Sequence, residues 1–241
     1  MLFRSLPTYG ALSIGAGIIK SGLASFQKEA ERVHAAFEAA CKGRSFVAEW
    51  RLVDKAVAPV ADIVMEHGRS CDLIMASQRD RSWDFASVMD EPERLVFESG
   101  RPVLIIPHSG RFATFGQRVT VAWNGRRESA RAVFDALPLL EAADSVRIIW
   151  VNPQKEQHLA GDVPAAEIAA TLARHGVKCE AATAQAPDIS VANILLSGLT
   201  DDGSDLLVMG AYGHSRMREF VFGGATRDIL EQMTVPVLMS H

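Results

Sequence analysis

The feature that most constrains this fold is an internal repeat. Asp72-Leu73-Ile74-Met75-Ala76-Ser77 matches Asp205-Leu206-Leu207-Val208-Met209-Gly210, and Pro102-Val103-Leu104-Ile105-Ile106 matches Pro236-Val237-Leu238-Met239. The first match lies at an offset of 133 residues (205 against 72) and the second at 134 (236 against 102). Two independent matches at nearly one offset define a tandem of two homologous units. The joint falls at Pro107–Gly116, which gives a first unit over 1–110 and a second over 117–241.

The second unit reads as a complete alternation. Arg118–Ala122 is a short apolar strand ending at the turn pair Asn124-Gly125, and Glu128–Leu140 has helical spacing. Val146–Val151 is a strand of buried type that stops at Asn152-Pro153. Pro164–His175 reads as a helix, Val177–Thr183 as a strand, Ile189–Leu199 as a helix and Asp205–Met209 as a strand. Ala225–Met233 is helical and Pro236–Met239 closes the unit. Strands alternating with helices predict an α/β fold with a doubly wound parallel sheet.

The first unit is incomplete. Its helix Phe26–Ala40, strand Phe46–Val53, helix Ala56–Gly68, strand Asp72–Ala76, helix Glu93–Ser99 and strand Val103–Ile106 match only the later part of unit two. The opening strand–helix–strand has no counterpart. Its loss leaves backbone polar groups beside Asp72–Ala76 without a neighbour unless another segment fills in, for which Leu12–Lys20 is the candidate. The closing strands Val103–Ile106 and Val237–Met239 are placed to pair with each other inside the chain as a pseudo-dimer, and the truncated half leaves apolar surface for a further homodimer.

Bulk properties exclude several classes. Apolar residues make up 48% of the 241 and charged ones 22%, enough for a packed core. The balance of 25 basic and 29 acidic residues, with no basic tract, argues against a nucleic-acid partner. The apolar run Tyr9–Ile19 is too short to span a membrane. Cys41, Cys71 and Cys179 fit neither a disulfide framework nor a zinc site; they read as buried apolar residues in a reducing, cytoplasmic setting. His108 and His241 end corresponding strands without ligand-spaced partners, so no metal is assigned.

The motif with chemical content is Gly210-Ala211-Tyr212-Gly213, nine residues, then Gly223-Gly224-Ala225-Thr226. It lies between a strand and a helix. Glycines there let successive backbone N–H groups approach a ligand, and a helix N-terminus attracts phosphate. His214, Arg216 and Arg218 within the loop either neutralise phosphates or form a solvated face. No Gly-x4-Gly-Lys-Ser/Thr and no Gly-x-Ser-x-Gly occurs.

Here the sequence resembles the universal stress protein family, whose loop is Gly-x2-Gly-x9-Gly-(Ser/Thr). Gly210, Gly213 and Gly223 match it, as does the closing Val235-Pro236-Val237-Leu238. The resemblance covers Gln117–His241 and, more faintly, Phe26–His108. It implies the adenine nucleotide alpha hydrolase-like fold and bound ATP, with Mg²⁺ as a companion ion. Adenosine contacts would fall on Ala122, Trp123, Asn124 and Val151. Ribose and phosphate contacts would fall on Met209, Gly210, Gly213, His214, Gly223, Gly224 and Ala225. Three positions depart from the pattern: Asn124 stands where Asp is usual, Gly224 where Ser or Thr is usual, and Trp123 where a small residue is usual. Trp123 either stacks on adenine, blocks it, or turns into the core. Unit one has Ser77-Gln78-Arg79-Asp80 in place of the loop, so a single site is expected, in unit two. The expected function is a nucleotide-binding stress or signalling protein. The alternatives are a scaffold of the same fold that binds no ligand and, behind it, a slow ATPase.

Overall fold

The structure, a computed structural model, describes residues 16–53, 59–79, 92–153, 165–211 and 224–241. The described residues build a seven-stranded sheet in the order β1-β2-β7-β6-β3-β4-β5. In chain order, β1 is Ile74–Ser77, β2 Val103–Ile106, β3 Arg118–Ala122, β4 Ser145–Val151, β5 Cys179–Ala184, β6 Leu206–Gly210 and β7 Val237–Ser240. Every neighbouring pair is parallel except β2 with β7. The α/β doubly wound fold expected from the alternation is therefore present, as two repeats of which the first is incomplete.

Helices cover both faces. The helices α2 (Val60–Gly68), α3 (Glu93–Glu98), α7 (Val191–Asp201) and α8 (Gly224–Gln232) pack on one face through Met65, Leu95, Leu195 and Ile229. On the other face α4 (Arg127–Asp135), α5 (Leu137–Ala142) and α6 (Ala166–Arg174) contribute Val133, Leu140 and Leu172. Central strands are consequently apolar on both sides: Leu206, Leu207, Val208 and Met209 of β6 are all buried. The helix expected over Glu128–Leu140 is split at Ala136. Pro138 lies in the first turn of α5, where its missing N–H costs nothing, and it could not continue α4.

The two units meet as a pseudo-twofold pair. In the antiparallel register of β2 and β7, Leu104 stands opposite Leu238, its own counterpart in the repeat. Equivalent hydrogen bonds flank each parallel pair: Ile74 N–H donates to the Pro102 carbonyl and Leu207 N–H to the Pro236 carbonyl, both at 3.0 Å. The internal pairing of the closing strands is as the sequence indicates.

Unit one departs from expectation where strands are missing. Phe46–Val53 forms no strand, only a single bridge at Val53. Its counterpart β5 is held by β4, which is held by β3; the described residues of unit one show neither, so among them the segment has no ladder to join. Phe46 and Val47 are 60% and 99% exposed as a result. The helix before it, α1, runs from Ala16 to Cys41, so residues 16–20 are helical and do not fill the place beside β1. Its His34 and Phe37 pack on Trp50, with ring centroids 4.7 and 5.5 Å away. The cysteines are half-buried and free rather than buried. Burial pushes the Cys179 thiol up.

Candidate functional site

The C-terminal ends of β3, β4 and β6 and the start of α8 bring Ala122, Trp123, Asn124, Val151, Met209, Gly210, Gly224 and Ala225 to one edge of the sheet. Strand order reverses here: from β3 the chain steps outward to β4 and β5, then returns to the other side as β6. Such a switch point opens a crevice beyond the strand ends, the usual ligand position in doubly wound sheets. Gly213, His214 and Gly223 lie outside the described residues, as do Arg216 and Arg218.

Alternation along the strands sorts these residues. Ala122, Val151 and Met209 belong to the face covered by α7 and α8. Trp123, one residue on, packs with the opposite core under α4 and α5, and its N–H donates to the Ile149 carbonyl at 2.9 Å. Asn124 accepts the Arg126 N–H on Oδ1 at 3.1 Å, a local turn that orients its amide before α4 starts.

The two described loop glycines differ in what requires them. A Cβ on Gly210 would lie 2.4 Å from the Glu128 carbonyl carbon and the Ser129 nitrogen. The N-terminus of α4 therefore demands glycine here. The described residues of unit one show no counterpart of α4, and the matching position is Ser77. Gly224 is different: nothing lies within 4 Å of its Cβ position, and no acidic residue occupies the first turn of α8. Among the described residues, then, nothing crowds that helix end and no carboxylate sits in its first turn, a setting that suits an anion.

Three residues escaped the sequence reading. Glu128 is 5% exposed at the start of α4 and bonded to Arg127. Burial alone would raise its carboxyl, but the bond from Arg127, a backbone N–H and the charges of Arg127 and His241 hold it below the usual range. Asn152, at the end of β4, has left-handed backbone (φ 51). Its amide accepts the Ala186 N–H at 2.8 Å and donates to the Ala186 carbonyl at 3.2 Å, tying the loop after β5 to the end of β4. Gln78 lies in the incomplete unit, just after β1. Only Asn152 left a trace in sequence, as the strand stop Asn152-Pro153. Among the described residues no group of three or more His, Cys, Asp or Glu is placed to hold a metal, and no helix is long and apolar enough to cross a membrane.

A doubly wound sheet with its strand-order reversal between β3 and β6 defines the chain as an α/β protein of the doubly wound class. Comparison with known proteins narrows this. A universal stress protein from Archaeoglobus fulgidus superposes with a TM-score of 0.67 over 95% of this chain and 81% of its own, at 16% identity. A functionally unknown protein from Pseudomonas aeruginosa gives 0.58 over 98% and 91%, at 14% identity. A 38-residue stretch is 50% identical to a universal stress protein from Synechocystis sp.; it takes in 16% of this chain and 13% of that protein. No protein-family model matches the chain. The resemblance to the universal stress protein family is borne out: the chain has the universal stress protein fold, in tandem form.

Proposed function

We propose that the chain is a nucleotide-binding stress-response or signalling protein, with a single ATP-class site at the switch point of its C-terminal repeat. The observation that carries this reading is the convergence of Ala122, Asn124, Val151, Met209 and Gly224 from four separate elements beside a helix N-terminus. In this reading the base and sugar lie against the ends of β3 and β4. The phosphates meet the α8 N-terminus and the loop carrying Gly213, His214 and Gly223. Magnesium arrives with the phosphates rather than in a protein cage. A cytoplasmic setting and a homodimer belong to the same reading. Half-exposed Met75 on β1 supports the dimer.

The competing reading, a scaffold without ligand, draws on Gly210, whose glycine is already required by α4. One experiment separates them. Protein purified without added nucleotide is denatured and the released small molecules identified, for wild type and for Gly213→Val. The proposal expects an adenine nucleotide, or measurable affinity for added ATP, in wild type, and a marked loss in the folded variant. A folded wild type with neither favours the scaffold.

A further inference from the structure

Gln78 joins the incomplete repeat to the ligand-side helix of the complete one. It is 5% exposed and its amide is saturated. Nε2 donates to the Leu230 carbonyl at 2.7 Å and, more weakly, to the Glu231 carbonyl at 3.3 Å. Oε1 accepts the His108 backbone N–H at 3.2 Å and contacts His108 Nδ1 at 2.9 Å. Leu230 and Glu231 belong to the last turn of α8, where helix carbonyls accept from groups beyond the helix. Met233 N–H takes the Ile229 carbonyl, and Gln78 takes the next two. The matching position in unit two is Ala211, whose side chain has nothing to donate. The clamp therefore works in one direction, from the degenerate repeat onto the intact one.

We propose that Gln78 is a positioning residue for the phosphate-side helix. By holding the C-terminal turn of α8, it fixes where the other end of that nine-residue helix presents Gly224 and Ala225 to an anionic ligand. A helix moves as a rod over so short a span, so anchoring one end sets the other. His108 orients the amide, which makes it the second part of the same device. The incomplete repeat thus serves the site it has itself lost. The link to affinity rests on the nucleotide reading above; the hold on α8 does not.

The test uses the full chain, ATP as probe, and two variants. Gln78→Ala removes every bond of the clamp. It is expected to raise hydrogen–deuterium exchange in residues 224–232, leave β3, β4 and β5 unchanged, and weaken ATP about three- to tenfold. Gln78→Glu places a carboxylate against the Leu230 carbonyl. Its ATP affinity relative to wild type is expected to be poor at alkaline pH and to recover on acidification, because the protonated acid again donates to that carbonyl. Gln78→Ala has no such recovery. Unchanged exchange in α8 of Gln78→Ala overturns the clamp. Raised exchange with unchanged ATP affinity, or a Gln78→Glu variant that tracks Gln78→Ala at every pH, overturns its link to the ligand. A wild type that binds no ATP removes the nucleotide reading, and the clamp is then judged by exchange alone.

Discussion

At the scale of single residues, the two described loop glycines separate structure from ligand contact. Gly210→Ala forces a Cβ into the α4 backbone 2.4 Å away. Overpacking of this kind costs about 1–3 kcal/mol, so denaturant unfolding should show a clear loss of stability with or without nucleotide. Gly224→Ser meets no described atom within 4 Å of its Cβ and should leave stability within about 0.5 kcal/mol. It also restores the hydroxyl usual in the family. A net hydrogen bond of about 0.5–1.5 kcal/mol corresponds to roughly two- to twelvefold tighter ATP binding, read by titration calorimetry. Glu128 gives a pH dependence. Its folded-state carboxyl lies below the unfolded value of about 4.3, so its contribution is complete above that pH and is lost as pH falls through the folded value. Glu128→Gln should therefore flatten the acid limb of a Tm-against-pH curve. The sequence marked Gly224 as a departure from the family loop and Gly210 as a match, but not that a close approach of α4 requires Gly210. The contact that distinguishes them comes from a helix about eighty residues upstream of Gly210.

At the scale of elements, the repeat shows what a strand needs beyond its own composition. Asp205 accepts three backbone N–H groups, from Gly116 (3.1 Å), Gln117 (3.1 Å) and Arg118 (2.9 Å), and so pins the entry to β3. Its counterpart Asp72 is exposed, and among the described residues of unit one no strand stands in that place. Asp205→Ala should destabilise by about 1–3 kcal/mol, while Asp72→Ala should be near neutral, and paired urea melts check the contrast. The strands of unit two, and β1 and β2 of unit one, could be read directly from apolar runs and the repeat. Phe46–Val53 could not. Its pattern suits a strand, but pairing is a property of neighbours, and the described residues of unit one supply none. Pro138 likewise breaks a helix whose apolar spacing runs on through it.

At the scale of the whole molecule, the antiparallel meeting of β2 with β7 is a dimer interface built into one chain. Leu104 and Leu238 face each other as the same residue of two repeats would across a twofold axis. Removing unit one uncovers the β7 edge, so a fragment of residues 117–241 should self-associate with rising concentration in analytical ultracentrifugation, or aggregate through that edge. The pseudo-symmetry is broken where it bears on function. Unit one carries Ser77 and Gln78 where unit two begins its glycine loop, and among the described residues it shows no strand and helix that would complete a second crevice. Two repeats should therefore hold one ligand. The stoichiometry of ATP binding to the intact chain, measured by calorimetry with Mg²⁺ present, tests this most directly. The account predicts one ATP per chain; two per chain, or no binding to folded nucleotide-free protein, would contradict it.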